Sequence, residues 1–311
     1  MSAHAHPHHH GHAHGQETGR LTYVVALLLT LAYAFVELAG GWWSGSLALV
    51  SDAGHMFSDS LALALAAGAA WLARRPPGAK HSYGLARAEV VGAALNGLLM
   101  LGIIVVLVVE AVQRLLTPRP VMAGAVIVIA TIGLLMNAAV AYVLSRGHRD
   151  LNRRAALLHV LGDLVSSLAA VIAGAVIYFT DWVLIDPILS LVIAGLILIT
   201  TLGLLRQTLH VLMEGVPSAV DFAEIGNSLA AVRGVTAVHD LHVWSIGSER
   251  AALSAHVDIE RLDDWPAILQ AARELLHERY DIDHVTLQPE LVLRRPSEAT
   301  VTMWPRGHRP T

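Results

Sequence analysis

Two kinds of hydrophobic patterning divide the chain. Between 21 and 208 apolar residues run with few breaks, and six segments are long enough to cross hydrocarbon, which takes about 20 apolar residues in a helix. They are Leu21–Trp43, Leu47–Ala73, Ala88–Leu116, Val121–Leu144, Ala155–Phe179 and Ile185–Leu205. The second and fifth are interrupted by acids and histidines, so their polar positions carry the information. After Glu214 the pattern turns amphipathic. Phe222, Ile225, Leu229 and Val232 recur at helical spacing within Ala219–Val232, and Trp265–Tyr280 predicts a second helix with Asp263 or Asp264 as its N-cap. Val235–Val243, Ala251–Ile259 and Val285–Leu293 predict strands. The order α-β-β-α-β is that of a small α+β domain with helices on one sheet face.

The predicted fold is therefore an all-α membrane domain of six helices followed by a small α+β domain of the ferredoxin-like, metallochaperone-like kind. The expected divisions are a disordered His-rich segment at 1–19, the membrane domain at 20–208, the α+β domain at 209–295 and a loose tail at 296–311.

Composition sharpens this picture. Of 311 residues 55% are hydrophobic and 15% charged, with a mean hydropathy of +0.56; a soluble domain has about a quarter charged. A net charge of −4 is too mild to point to a nucleic-acid partner. There is no cysteine, so a metal would have to be held by His, Asp, Glu, carbonyls or water. The N-terminus is a histidine tract rather than the basic region of a secretory signal. Lys and Arg set the orientation. Arg74, Arg75, Lys80 and Arg87 follow the second span, and Arg146, Arg149, Arg153 and Arg154 follow the fourth. The loops near Ser44 and Asp181 carry none, and the loop after the third span has only Arg114 and Arg119. Both termini are expected in the cytoplasm.

The chemistry lies in a repeated spacing. His55 and Asp59 in the second span, and His159 and Asp163 in the fifth, stand at i and i+4, one turn apart on one helix face. A charged side chain at mid-membrane costs about 2.5–3.5 kcal/mol on the insertion scale. Two helices with the same arrangement call for a shared compensation, and a dication supplies one. Two nitrogens and two oxygens suit tetrahedral zinc without a thiolate. A proton relay on the same residues is the alternative at this point.

The chain resembles the cation diffusion facilitator family, specifically its bacterial zinc efflux members, over about residues 20–292. The resemblance rests on Gly45-Ser46-Leu47-Ala48-Leu49, Asp52-Ala53-Gly54-His55-Met56, Tyr83-Gly84 with Arg87-Ala88-Glu89, and His159-Val160-Leu161-Gly162-Asp163. It extends to Asp186-Pro187, Leu212-Met213-Glu214-Gly215-Val216-Pro217 and His239-Asp240-Leu241-His242-Val243-Trp244. It implies a homodimer in the bacterial inner membrane that exchanges a metal ion for protons by alternating access. Its partners would be divalent cations, protons and the bilayer. The positions matching the family's transport site are His55, Asp59, His159 and Asp163, a combination associated with zinc and similar ions such as cadmium and cobalt. Zinc would be the cargo and also a bound regulatory ion in the cytoplasmic domain. There the matching positions are His239, His256 and Glu290, among a wider metal-capable set that adds His242, Asp258 and His284.

Zinc needs neutral imidazole and ionised carboxylate, so protons compete with it. The unperturbed imidazole value near 6.5 puts that competition at physiological pH. His55 and His159 would then couple metal release to proton uptake. The histidines between His4 and His14 form a low-complexity tract able to capture metal weakly. His81 is a weak further candidate, because many relatives place a His where Leu85 stands and a leucine cannot ligate. Glu37, Asn96, Glu110, Asn137 and Asp186 are explained by interhelical hydrogen bonding, with no ligand role. Asp52, a turn before His55, is the exception, able to line the cavity and steer cations or protons. No Walker motif is present, so the expected protein is a secondary transporter, not an enzyme. A membrane zinc sensor that binds without transporting is the rival, while an intramembrane metalloprotease would need the absent His-Glu-x-x-His.

Overall fold

The computed structural model describes residues 30–145, 151–247, 250–292 and 300–302. The His-rich tract at 4–14 lies outside them. A helix over 30–44 (α1) is followed by α2 (Leu47–Ala73), α3 (Ala88–Leu116), α4 (Ala123–Ser145), α5 (Leu151–Thr180) and α6 (Ile185–Leu212). Five of these are long and apolar enough to cross a membrane over the described residues. At 1.5 Å per residue, the 27 residues of α2 span about 40 Å, enough for the roughly 30 Å of hydrocarbon. The bounds of α2 and α3 are those the hydrophobic runs predict. α5 begins earlier and α6 ends later, because the apolar run marks the lipid-matched part of a helix and not its hydrogen-bonded length.

The chain divides into two compact units, residues 1–63 with 98–201 and residues 64–97 with 202–311. In the first, α4 and α5 pack closely through small residues. Val126, Ala130 and Ala170 join Ala48 and Leu49 in one buried cluster. A Cβ on Gly174 would come within 2.8 Å of Ile127. Met100 and Ile104 of α3 meet Ile193, Ala194 and Ile197 of α6 in another.

The elbow between α1 and α2 is held by charge. Asp186, fully buried in the first turn of α6, accepts from Ser46 Oγ at 2.6 Å and from the backbone N–H groups of Leu47 and Ala48 at 2.6 and 3.3 Å. It thus satisfies orphan donors at the start of α2 and neutralises that helix's positive end. Arg114 lies 3.9 Å from Asp186, donates to the Gly45 carbonyl and pairs with Glu110 at 3.0 Å. Gly45 itself has φ 75°, which a side chain would strain.

In the second unit, α7 (Phe222–Ala230) opens on Asp221, whose carboxylate accepts from the Ala223 and Glu224 N–H groups at 2.9 and 3.1 Å. Strand β1 (Val235–Ser245) runs antiparallel to β2 (Ala251–Ile259), and β3 (His284–Leu291) runs parallel to β2. Between β2 and β3 comes α8 (Trp265–Tyr280). Asp264 does stand at its N-cap position but makes no side-chain cap bond; a 3-10 turn over Leu262–Asp264 and Pro266 start the helix instead. Ile225 and Leu229 of α7 and Ala272 and Leu276 of α8 bury against Val238, Leu241, Val243, Leu253 and Ala255 of the sheet.

The tail expected to be loose contains one short strand. Thr300–Thr302 (β4) pairs parallel with Ala237–His239, giving the sheet order β3-β2-β1-β4. Three residues paired with a strand some sixty positions earlier leave no periodic signal in sequence.

Candidate metal centres

The first centre is built on α2 and α5. The one-turn spacing brings His55 Nδ1 to 3.5 Å from Asp59 Oδ2, and helix packing brings His55 Nε2 to 3.7 Å from Asp163 Oδ1. Ligand atoms of His55, Asp59 and Asp163 all lie within 4.8 Å of one another, close enough for one ion to take all three. Their side chains keep 19%, 29% and 12% of their exposure, so the cluster is sheltered but reachable on the Asp59 side. His159 sits in α5 one turn before Asp163, and its side chain lies outside the described residues. The predicted set is therefore gathered in three of its four members.

The surroundings of this centre are polar and buried. Asp52, one turn before His55, is 1% exposed and accepts from Ser167 Oγ at 3.2 Å. Asn137 of α4 donates to Ser167 at 3.3 Å, the interhelical bond its position suggested. Glu37 departs from that expectation: it is wholly buried, and neither carboxylate oxygen has a hydrogen-bond partner. Its polar neighbours are Tyr33 and Asp52, yet the Tyr33 hydroxyl donates to the Ile129 carbonyl at 2.6 Å.

The second centre is built on the sheet. Register places His239 directly opposite His256 and Asp258 opposite Glu290. His256 Nδ1 lies 2.8 Å from Glu290 Oε1, and His239 Nε2 lies 3.2 Å from Glu290 Oε2 and 3.4 Å from Asp258 Oδ1. His239, His256 and Glu290 form the other group of ligand atoms within 4.8 Å among the described residues. His239 is 5% exposed and its Nε2 is buried without a hydrogen-bond partner, so a donor atom is left aimed at two carboxylates. That is how a cation-ready imidazole looks, and the residues fit a bound zinc of nitrogen and oxygen ligands.

A β-bulge sharpens this centre. The register shifts between His239 and His242, with Asp240 at φ 52°. The extra residue lets Leu241 and Val243 stay in the core while His239 still faces His256, and bulges commonly re-aim a side chain in this way. Asp240 takes His242 Nε2 at 3.1 Å, and His242 is turned outward. His284, at the edge of β3, meets the Tyr83 ring at 5.4 Å and is outside the cluster. His81 is exposed in a turn closed by reciprocal backbone bonds with Gly78 and belongs to neither group. Asp258 was metal-capable by type, but only the strand register reveals its place beside His239.

Comparison with known proteins agrees with both regions. Residues 23–213 match the cation efflux transmembrane domain, and 217–292 match the cytoplasmic domain of cation efflux proteins. The zinc transporter ZitB of Escherichia coli is 39% identical over 274 residues, 87% of each chain. The metal cation efflux system protein CzcD of Cupriavidus metallidurans is 37% identical over 269 residues, 86% of this chain and 85% of its own. The zinc transporter ttm-1 of Caenorhabditis elegans is 36% identical over 296 residues, 89% of this chain and 72% of its own. These matches run through the apolar helices, both metal-capable clusters and the C-terminal sheet, and the chain is a multi-pass membrane member of the cation efflux family, the cation diffusion facilitators.

Proposed function

We propose that this protein is a proton-coupled antiporter that exports zinc from the cytoplasm, with cadmium and cobalt as further cargo. The observation that carries the reading is the intramembrane cluster, where His55, Asp59 and Asp163 offer three ligand atoms within 4.8 Å inside helices that cross the membrane. His159 would supply the fourth ligand, completing two nitrogens and two oxygens. The relatives' names, zinc transporter and metal cation efflux system protein, support the cargo class.

The chemistry follows from the ligands. Zinc binds the unprotonated imidazole and the ionised carboxylates, so each ion that enters displaces protons and each proton that returns weakens the site. Facing the cytoplasm at low proton activity the site fills. Facing the other side, where protons are abundant, His55 and His159 take them up and the ion leaves. No bond is made or broken apart from coordination.

The wider reading places the protein as a homodimer in the bacterial inner membrane with both termini in the cytoplasm. The sheet cluster of His239, His256 and Glu290 would hold zinc more permanently and report its level to the dimer.

Zinc flux into proteoliposomes under an imposed pH gradient, wild type against Asp163→Ala, tests the central claim. Gradient-driven uptake that vanishes in the variant is the expected result. Zinc binding with no flux in folded wild type would make the His-Asp pairs a detector and the protein a sensor.

A further inference from the structure

The geometry points to a second cation-binding step, built from Glu37, Asp52 and Ser166, lying between the transport site and the α1–α2 elbow. Both carboxylates are sealed, Glu37 at 0% and Asp52 at 1% exposure. Both oxygens of Glu37, the Oδ1 of Asp52 and the hydroxyl of Ser166 are buried without hydrogen-bond partners. Asp52 is a polar neighbour of Glu37, and Ser166 lies beside Asp52. The charged groups acting most strongly on Glu37 are again acids, Asp52 and Asp163. A carboxylate in hydrocarbon marks a functional position by default, and two of them facing each other with acceptor oxygens left over make a place for a positive ion.

Position gives the site its role. Asp52 is one turn nearer the elbow than His55, and Glu37 sits about 10 Å along α1 from Ser44 at 1.5 Å per residue. Ser166 and Ser167 lie one turn beyond Asp163 on α5. The polar groups thus continue the line of the transport site away from Asp59, its exposed end. An ion entering past Asp59 and leaving toward the elbow meets Asp52 and Glu37 next.

The ligand type agrees. An oxygen-only set holds zinc-like ions less tightly than one containing imidazole and suits harder dications better. A conduction path needs such a site, attractive enough to draw the ion forward and weak enough to let it go. The direction of travel rests on the export reading above; the binding site does not.

Equilibrium dialysis of manganese, a harder dication that carboxylate oxygens suit, against the full chain in detergent tests the site. The expected result is one weak equivalent fewer per chain in Glu37→Gln than in wild type, with that equivalent retained in His55→Ala. Asp52→Asn, which leaves Glu37 in place, should lose the same equivalent, so the count survives if one variant fails to fold. In proteoliposomes Glu37→Gln should lower zinc turnover about tenfold while half-saturating zinc stays unchanged, since entry is untouched. Equal manganese counts in wild type, Glu37→Gln and Asp52→Asn would overturn the proposal and leave the pair as proton carriers or a packing feature. A missing equivalent alongside no flux in wild type would keep the site and remove the export reading.

Discussion

The two metal-capable clusters are alike in composition and unlike in how they are held. Both join histidine with carboxylates, and neither has a thiolate. The sheet cluster is drawn tight, with His256 at 2.8 Å and His239 at 3.2 Å from one carboxylate. The helix cluster is looser, at 3.5 and 3.7 Å. Strand register fixes the first set, because His239, His256 and Glu290 belong to neighbouring hydrogen-bonded strands. In the second, one pair comes free with the helical turn, but Asp163 arrives only through the packing of α5 against its neighbours. A site whose ligands sit on separate helices loses affinity when those helices move, as the proposed transport role would require. A site stitched into a sheet does not.

The sharpest way to break this contrast is to remove one ligand from each. Asp163→Ala should reduce gradient-driven zinc flux to the level of empty vesicles. His239→Ala should keep flux within a few-fold at saturating zinc, yet lose the zinc-dependent rise in thermal midpoint. Ligand bound at a hundred times its dissociation constant stabilises by about 2.7 kcal/mol. If His239→Ala stopped flux as completely as Asp163→Ala, the division of labour would be gone.

The next effect concerns what places α2. Asp186 holds the Ser46, Leu47 and Ala48 donors at the head of the helix that carries His55 and Asp59. Asp186→Ala strands these donors, at about 1–3 kcal/mol for each buried group left unsatisfied, while Arg114 keeps Glu110 and the Gly45 carbonyl. Asp186→Asn should lose less, because its amide oxygen still accepts. In both variants zinc affinity should fall at the helix cluster and hold at the sheet cluster, read by titration in detergent against the C-terminal domain's own zinc response.

Much of this was legible in the residues. Hydrophobic runs located α2 and α3 to the residue, since a span must stay apolar along its lipid-facing length, and a strand-like run and a helical pattern located β2 and α8. The repeated His-x-x-x-Asp named three ligands that the structure brings together. What escaped was long-range. Asp186 reads as an ordinary polar helix start, and its role depends on donors some 140 positions away. The bulge at Asp240 needs a left-handed Asp with no glycine to announce it. Glu37 resembled any interhelical hydrogen bonder; the clue available was a glutamate in the middle of an apolar run, whose lack of a donor only the packing reveals.

A smaller effect probes the packing around that glutamate. A Cβ at Gly133 would lie 2.8 and 2.9 Å from the Tyr33 ring carbons, inside any real contact, and the ring is buried. Gly133→Ala should therefore cost about 1–3 kcal/mol as an overpacking change. Tyr33 is also hydrogen-bonded to Ile129, so the ring cannot swing away freely. The expected readout is a lower thermal midpoint with weakened zinc binding at the helix cluster and no change at the sheet cluster.

The smallest change tests the sheet side alone. Asp221 caps α7 through the Ala223 and Glu224 N–H groups, and α7 packs Ile225 and Leu229 onto the sheet. Asp221→Ala should cost about 1 kcal/mol, the usual value of an N-cap. That loss lowers the stability of the C-terminal domain without touching the pairing of β1, β2 and β3. Zinc affinity at His239, His256 and Glu290 should then stay unchanged while the melting point falls, because register and not helix docking sets the ligand distances. A fall in zinc affinity in step with the melting point would mean that the sheet cluster, like the helix cluster, depends on how its supports are packed.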